Sequence, residues 1–247
     1  MLKALFLSSL VILSGLQFGG CTTSSKFRTV EHPGAPFNFG VASSNGQLEG
    51  IIHTVIFFQG PGSWKEKALW DEYVIQLKNN GTEAIILNKA ELIDLLDTAQ
   101  VPGTDPWDLE KLSKDNWKHY GESGLSLAMG TLGVAAGAGL LATSAYLGGS
   151  ASAAAGIAAL PWLVGGYVIG VQVVNRKNAK EVDSEFETRK IDFPVLIDPG
   201  ESGEGSLFFP TTPGPKRLIL FDDKQIPILT FELSETDIGS LHMEQTE

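Results

Sequence analysis

Cysteine is almost absent from this sequence of 247 residues, because Cys21 is its single example. One cysteine excludes a disulfide within the chain and a metal cluster built on several thiolates. The four histidines, His32, His53, His119 and His242, lie far apart and show none of the close spacing that is typical of zinc sites. We therefore expect scattered loop or surface histidines, with no metal ion and no cofactor.

Catalytic and nucleotide-binding motifs are also missing. Gly200–Gly205 reads Gly-Glu-Ser-Gly-Glu-Gly, which lacks the Gly-x-Ser-x-Gly spacing of a nucleophile elbow, so we interpret it as a loop with a solvated acidic face. The glycines of the longest apolar run do not precede Lys-Ser or Lys-Thr, as a phosphate-binding loop requires. Unclustered acids such as Asp105 or Glu201 have no spacing that supports a hydrolase. The sequence therefore predicts a protein that is not an enzyme.

Basic residues are scarce as well. The chain has 18 Lys and Arg against 29 Asp and Glu, which gives a net charge of -11. Removal of residues 1–20 from the mature protein would take away Lys3 and no acid, so the net charge would become -12. A surface of this sign repels phosphate backbones, and no basic stripe offsets it. The composition therefore predicts no nucleic-acid binding and leaves basic protein partners open.

Charge is absent altogether from residues 123–175, which we call the apolar segment. These 53 consecutive residues contain no Asp, Glu, Lys or Arg, and they include 11 Gly and 12 Ala. Gly148-Gly149 divides the segment into the halves Gly124–Leu147 and Ser150–Val174, each near the roughly 20 residues that a membrane-spanning helix needs. The pattern predicts a Gly/Ala-rich helical hairpin.

The small residues of the apolar segment suggest how such helices would pack. Gly133 and Gly137 form one Gly-xxx-Gly pair, and Gly166 and Gly170 form another, a spacing that favours close contact between membrane helices. A hairpin that enters the bilayer is therefore the first interpretation. A buried hairpin packed on the rest of the protein or on a second copy is an alternative, since Pro161 would kink the second half. A flexible linker is the third.

The first residues have the pattern of a secretory signal. Lys3 supplies a positive start, Ala4–Phe18 an apolar stretch, and Gly19-Gly20 the small residues of a cleavage site. The run Phe18-Gly19-Gly20-Cys21 resembles the lipobox of bacterial lipoproteins. The resemblance implies cleavage before the cysteine and its acylation, for example with palmitate. An ordinary cleaved signal with a cysteine nearby is the alternative.

The residue after the cysteine carries further information within that resemblance. In lipoproteins an Asp at this place tends to retain the protein in the inner membrane, and here the residue is Thr22. The resemblance therefore implies an outer-membrane lipoprotein on the periplasmic face, rather than an inner-membrane one.

The rest of the chain predicts mainly short strands. Asn79–Thr82 supplies an Asn-Gly turn between two apolar runs and predicts a β-hairpin. Glu91–Leu96 fits either a strand or a short helix. Apolar β-prone runs bounded by turn residues predict the remaining strands at Ile51–Phe58, Tyr73–Leu77, Ala84–Leu87, Ile191–Ile197, Gly205–Phe209, Arg217–Phe221 and Ile226–Phe231.

Helices are predicted on both sides of the apolar segment. Asp108–Tyr120 is polar and helical in pattern, and Asp105 or Thr104 could cap it ahead of Pro106. Arg176–Arg189 is strongly charged and predicts a helical exit from the apolar segment. Four tryptophans near the first strands are interpreted as core residues, with a binding face as the alternative: Trp64, Trp70, Trp107 and Trp117.

The layout is therefore strands, inserted helices, then strands. Neither strand group looks large enough to close a core alone, so we expect both to fold into one antiparallel β-sandwich. The predicted boundaries are a signal peptide at 1–20, a tether at 21–31, the first part of the sandwich at 32–106, the inserted helices at 107–188, the second part of the sandwich at 189–233, and a loose polar tail at 234–247.

Two stretches are similar to strands of bacterial Ig-like periplasmic domains. Tyr73–Asn88 resembles their paired strands around an Asn-Gly turn, and Pro199-Gly200-Glu201-Ser202 to Phe208-Phe209-Pro210 resembles their later hairpin. The resemblance implies a mainly β fold with an α insertion, namely an Ig-like sandwich interrupted by the helical hairpin. It implies nothing about activity.

Together these patterns predict an envelope lipoprotein with a structural, assembly or binding role. Its expected partners are membrane lipid, reached through acylated Cys21 and residues 123–175, and a second copy or another envelope protein. The alternative is a membrane-active or pore-forming module that assembles through its Gly-xxx-Gly helix faces.

Overall fold

The computed structural model describes residues 28–31, 33–132 and 178–244, and these residues are mainly β with two α-helices. Nine strands form two antiparallel sheets, and two very short strands form a separate ribbon. The prediction of a mainly β fold with added helices is confirmed for this part of the chain.

The described elements follow one another with short connections, apart from the long passage through the apolar segment. In chain order they are β1 (Arg28–Thr29), β2 (Val41–Ser44), β3 (Leu48–Ile56), β4 (Lys65–Glu66), β5 (Asp71–Asn79), β6 (Ile85–Ile93), β7 (Ala99–Gln100), α1 (Pro106–Glu122), α2 (described over 178–189), β8 (Val195–Ile197), β9 (Ser202–Phe209), β10 (Arg217–Asp222), β11 (Pro227–Glu232) and a 3-10 helix (Asp237–Ser240).

The first sheet has four strands in the order β2-β3-β5-β9. Strand β5 is central, and its register with β9 runs from Asp71 opposite Phe209 to Lys78 opposite Ser202. Alternate residues of a strand face opposite sides of a sheet. Tyr73, which is fully buried, therefore faces the core together with every second residue that follows it.

The second sheet is built around β6. One edge of β6 pairs with β10, and β10 pairs in turn with β11. The other edge pairs with β8 at Ile85–Leu87 and with β7 at Leu92 and Ile93. Two short strands therefore share the edge that a single long strand would otherwise occupy.

Both sheets contribute to one hydrophobic core. At Gly50 of β3 they come so close that an added Cβ would lie 2.6 Å from Leu229 Cδ2 and from Phe231 Cζ. Any larger residue at this position would require the side chains of Leu229 and Phe231 to move. The fully buried members of the core come from both sheets and include Leu48, Ile52, Tyr73, Leu87, Ala90, Leu92, Phe209, Leu218, Leu220 and Phe231.

Strands from before and after residues 107–188 lie in the same sheets. Strand β5 pairs with β9 in the first sheet, and β6 pairs with both β8 and β10 in the second. Each sheet therefore needs both parts of the chain, and the chain that leaves after α1 must return before β8.

The predicted hairpin around Asn79–Thr82 is wrong, because β5 and β6 belong to different sheets. The side chain of Asn79 is fully buried. Its Oδ1 accepts a hydrogen bond of 2.9 Å from the Gly81 N–H, while its Nδ2 donates to the carbonyls of Glu83 and Ile197 at 2.8 and 2.9 Å. An Asx turn therefore redirects the chain from one sheet to the other.

Two further expectations about strands change in detail. Ala84–Leu87 and Glu91–Leu96, predicted as separate elements, belong largely to the single strand β6. The glycine-rich run that was interpreted as an acidic loop enters β9, which begins at Ser202. Its residues are exposed, so the acidic face is solvated as expected, although the backbone pairs with β5.

The predicted start of α1 is confirmed. Asp105 is the N-cap, and its side chain accepts hydrogen bonds from the N–H groups of Trp107 and Asp108 at 2.8 and 3.0 Å. Pro106 occupies the first turn, where its missing N–H costs nothing. The helix ends at Glu122, two residues before Gly124, which has a φ of +78°.

The described beginning of the apolar segment is not helical, which corrects the expectation for Gly124–Leu147 as far as residue 132. Residues 124–132 form turns and one bridge between Leu127 and Met243. Gly130 has a φ of +74°, a conformation that no right-handed helix contains. The remainder of the predicted hairpin lies outside the described residues.

The predicted loose tail is wrong for residues 234–244. The 3-10 helix packs Ile238 against the main core, and Leu241 and His242 are fully buried beside it. The expectation of loop or surface histidines therefore fails for His242. In the sequence, Ile238 and Leu241 stand among Glu, Asp and Ser residues, so this stretch has a polar pattern although both of these side chains are buried.

We predict that Asn79→Ala lowers the free energy of unfolding by about 2–3 kcal/mol, because it leaves the buried Ile197 carbonyl without its amide donor and removes the bonds to Glu83 and Gly81. Urea denaturation at constant m-value measures the change. Asn80→Ala is the matched control, since Asn80 is exposed and its replacement should cost less than about 0.5 kcal/mol. Equal effects of the two substitutions would contradict the role given to Asn79.

Candidate functional site at the base of the apolar segment

Two adjacent carboxylates begin the central strand β5. Asp71 and Glu72 are both fully buried, although ionised carboxylates are rarely found inside proteins without partners. Because neighbouring residues of a strand point to opposite faces, the two side chains reach different groups. Their partners explain how the domain holds the chain on either side of residues 133–177.

Asp71 binds His242 of the C-terminal segment. The Nε2 of His242 lies 2.9 Å from Asp71 Oδ2 and 3.1 Å from Oδ1, and its Nδ1 accepts a hydrogen bond of 3.1 Å from the Gly130 N–H. A backbone N–H can only donate, so Nδ1 carries a lone pair and the ring proton resides on Nε2. The ring is therefore a neutral donor to Asp71 and connects it to the chain at Gly130.

The backbone extends this connection into a short ladder. The N–H of Ala128 donates to the carbonyl of His242 at 3.0 Å, and the N–H of His242 donates to the carbonyl of Thr131 at 2.9 Å. The N–H of Glu244 also donates to the carbonyl of Ser126 at 3.0 Å. Residues 126–131 are thus fixed against the C-terminal segment, which Asp71 holds in place.

Glu72 anchors the other side. Its Oε1 accepts a hydrogen bond of 2.7 Å from Ser206 Oγ, and its Oε2 accepts one of 2.5 Å from Trp64 Nε1. Arg189, in the last turn of α2, places Nη1 3.6 Å from Glu72 Oε1 and pairs with Glu185 at 2.6 Å. The Glu72 carboxylate therefore links α2 to Ser206 within β9 and to Trp64, which directly precedes β4.

A cluster of aromatic side chains also holds α2 against the β domain. The rings of Phe186 and Phe208 are stacked with centroids 4.1 Å apart. Both rings also make edge-to-face contacts with Trp70, with centroid distances of 5.7 and 5.3 Å. Edge contacts of this kind add to the stabilisation that comes from apolar burial. Trp64 and Trp70 are buried here, so the interpretation as core residues is confirmed for these two tryptophans, and the alternative of a binding face is not.

Lys65 is the least expected member of this cluster. Its side chain is buried, its Nζ donates to the carbonyl of Trp70, and the ammonium lies 4.3 Å from the centroid of the Trp70 ring. Burial lowers the pKa of Lys65 from 10.5 to about 8, although nearby Asp71, Glu72 and Glu110 favour the charged form. The amine therefore stays charged at neutral pH inside an aromatic enclosure.

Other buried polar groups surround the same region. Glu110 of α1 accepts a hydrogen bond of 2.9 Å from the Leu69 N–H, and burial raises the pKa of this carboxyl. The hydroxyl of Tyr73 has no hydrogen-bond partner among the described residues, and burial beside Asp71 raises its pKa well above the usual value. Burial and a hydrogen bond to Asp94 also raise the pKa of Tyr120.

The arrangement is suited to holding segments of the chain in place. Asp71 and His242 are completely buried, so a substrate cannot reach this pair in the described conformation. The ranges 28–31, 33–132 and 178–244 contain no group of three His, Cys, Asp or Glu residues that could hold one metal ion. The contacts that Asp71 and Glu72 make with His242, Ser206 and Arg189 are hydrogen bonds and ion pairs between elements that are distant in sequence.

The residues singled out from the sequence lie elsewhere. Cys21 and the helix-packing glycines Gly133, Gly137, Gly166 and Gly170 fall outside the described residues. Sequence reasoning missed the buried charges instead. The usable signal was a pair of acids inside an otherwise apolar strand-prone run, since charges at such places require buried partners.

Comparisons with protein-family models, with curated proteins and with solved structures give no match for this chain. Among residues 28–31, 33–132 and 178–244, neither α-helix combines the length and the apolar character that a membrane crossing requires.

We predict that His242→Ala destabilises the protein by about 3 kcal/mol, because it leaves the Asp71 carboxylate buried without its donor. It should also accelerate amide hydrogen exchange in residues 126–131, since the ladder loses its anchor. Exchange measured by mass spectrometry on peptides from this region tests the link. Glu244→Ala is the control, because that side chain is exposed and its backbone bond to Ser126 is kept. Unchanged exchange in His242→Ala would refute the anchoring role.

We also predict that stability rises with pH above about pH 8. Between the folded pKa of Lys65, about 8, and its usual 10.5, the unfolded chain binds a proton that the folded protein has lost. The free energy of unfolding therefore increases across this window, by at most about 1.4 kcal/mol per pH unit. Near and above pH 10 the raised pKa values of Tyr73 and Tyr120 act in the opposite direction, because the folded protein then keeps protons that the unfolded chain releases.

Urea denaturation at a series of pH values measures this dependence. Lys65→Met should remove the rise above pH 8, whereas Lys111→Met should keep it because Lys111 is exposed on α1. A Lys65→Met variant with the unaltered pH dependence would show that another group is responsible.

Proposed function

We propose that this protein is a bacterial envelope lipoprotein with a structural or assembly role, anchored by acylated Cys21 and by residues 123–175. The observation that carries the proposal is the anchoring of both flanks of residues 133–177. Asp71 holds residues 126–131 through His242, and Glu72 holds α2 through Arg189. A domain that fixes both ends of an uncharged run of this length is suited to presenting that run to a membrane or to another protein.

The two proposed membrane contacts, acylated Cys21 and the apolar segment, would act together. Lipid on Cys21 and an apolar segment are two separate membrane contacts, and two contacts together attach a protein more firmly and in a more fixed orientation than either does alone. Within the apolar segment, residues 133–175 lie beyond the part that is fixed to the C-terminal segment, and up to Asn175 they carry no charge, so they can provide the second contact because charged side chains at the bilayer centre are costly. With Thr22 after the cysteine, the proposed location is the periplasmic face of the outer membrane. We further propose that the two sheets form an Ig-like sandwich with residues 107–188 as its insertion.

A membrane-active or pore-forming module is the second candidate. The Gly133/Gly137 and Gly166/Gly170 pairs favour it, because close helix contacts would allow several hairpins to associate. Replacement of Gly133 and Gly137 by Leu should then abolish oligomers in detergent, with replacement of Gly139 and Gly156 by Leu as a control of equal added volume outside the two pairs. An unchanged oligomer size in the paired variant would contradict this candidate.

The decisive experiment for the leading proposal separates the two contacts. Cys21→Ala, exported through a cleavable signal that is not of the lipoprotein type, removes the acyl chain and keeps the apolar segment. We expect this variant to remain in the membrane pellet after sodium carbonate extraction. The same variant with residues 133–175 replaced by a Gly/Ser linker should appear in the supernatant. Complete extraction of Cys21→Ala alone would show that the apolar segment makes no independent membrane contact.

A further inference from the structure

The two sides on which the sheets meet are closed to different degrees. On one side, Ser43 Oγ of β2 donates to the Thr230 carbonyl of β11 at 2.6 Å, and Asn45 Nδ2 donates to the Ile228 carbonyl at 2.8 Å. On the other side, the edge strands β8 and β9 are joined by a turn and enclose a groove of about 300 Å³. The groove is thus a gap between the two sheets.

The interior of the groove is apolar. Leu77 of β5 and Ile197 of β8 are buried there, and Val195 and Ile191 line the walls. Leu196, which also lines the groove, is 59% exposed. A segment seated in the groove would remove this apolar surface from water, at about 25 cal/mol for each Å².

The backbone beside the groove is available for pairing. Strand β8 is hydrogen-bonded to β6, and the described residues place no strand along its other edge. On β9 the outer edge is occupied near Ser206, where the Ile191 N–H donates to the Ser206 carbonyl at 2.9 Å. An exposed edge such as that of β8 can accept an extended segment.

The rim of the groove is acidic. Glu201 and Glu204 lie at the start of β9, and neither has an ion-pair partner within the ranges that the structure describes. Lys190, the one basic residue that lines the groove, already pairs with Glu187 at 2.8 Å and with Asp192 at 3.2 Å. The excess negative charge favours a basic occupant.

We propose that the groove between β8 and β9 binds an extended segment of a partner protein in which apolar side chains alternate with Lys or Arg. The backbone of that segment pairs with a strand edge, its apolar side chains enter the groove, and its basic side chains meet Glu201 and Glu204 at the rim. The alternation follows from the two-residue period of a strand. A second copy of this chain is a poorer occupant, because two acidic rims would face each other across a symmetric contact.

The test uses the full-length protein in detergent and a fluorescent decapeptide of alternating Val and Lys as the probe. Fluorescence anisotropy should show saturable binding to the unaltered protein. Glu201→Lys with Glu204→Lys should weaken that binding about tenfold, and this variant should gain affinity for the matching Val/Glu peptide. The control is Asp223→Lys with Glu232→Lys, which changes the net charge equally at exposed positions away from the groove and should leave binding unchanged.

Two further measurements complete the test. Val195→Asp places a charge in the wall of the groove and should abolish peptide binding, with thermal unfolding as the check that the variant is folded. Sedimentation velocity of the unaltered protein and the rim variant detects occupation by a second copy. Absence of saturable binding, equal losses in the rim and control variants, or a change of oligomeric state in the rim variant alone would each overturn the proposal.

Discussion

The burial of two adjacent negative charges at the start of β5 is the constraint on which the rest of the structure depends. An unpaired carboxylate in a protein interior costs several kcal/mol, so Asp71 and Glu72 can be buried only if their partners arrive. Those partners come from far along the chain, 171 residues away for His242 and 134 for Ser206. The central strand thereby requires the C-terminal segment and β9 to be in place.

This requirement couples the fold to the apolar segment. Residues 126–131 belong to the first part of the uncharged run and α2 follows the run, and each is held by one of the two carboxylates. The aromatic cluster around Trp70 then adds packing that is independent of charge. Displacement of either flank must therefore break a contact that depends on a buried carboxylate, and displacement of α2 must also break the aromatic packing.

Local patterns were sufficient for much of the fold, and distant contacts account for the failures. The cap at Asp105 and most strands could be predicted, because each depends on residues within a few positions. The Asn-Gly turn was misread because hairpin and crossover share the same local chemistry, and the buried amide of Asn79 binds a carbonyl 118 residues away. His242 was misassigned for the same reason. A hydropathy pattern cannot reveal that a histidine in a polar tail meets a buried carboxylate.

The two sides on which the sheets meet differ in how far their backbone groups are hydrogen-bonded. The side closed by Ser43 and Asn45 satisfies its backbone carbonyls internally, whereas the side of β8 and β9 keeps an open edge. Open edges invite unwanted pairing, and short strands and like charges reduce that risk. Strand β8 has three residues, and Glu201 and Glu204 lie beside it, so pairing between copies is opposed. An edge protected by acidic residues still accepts a basic strand, and the protection therefore also determines which partners can bind.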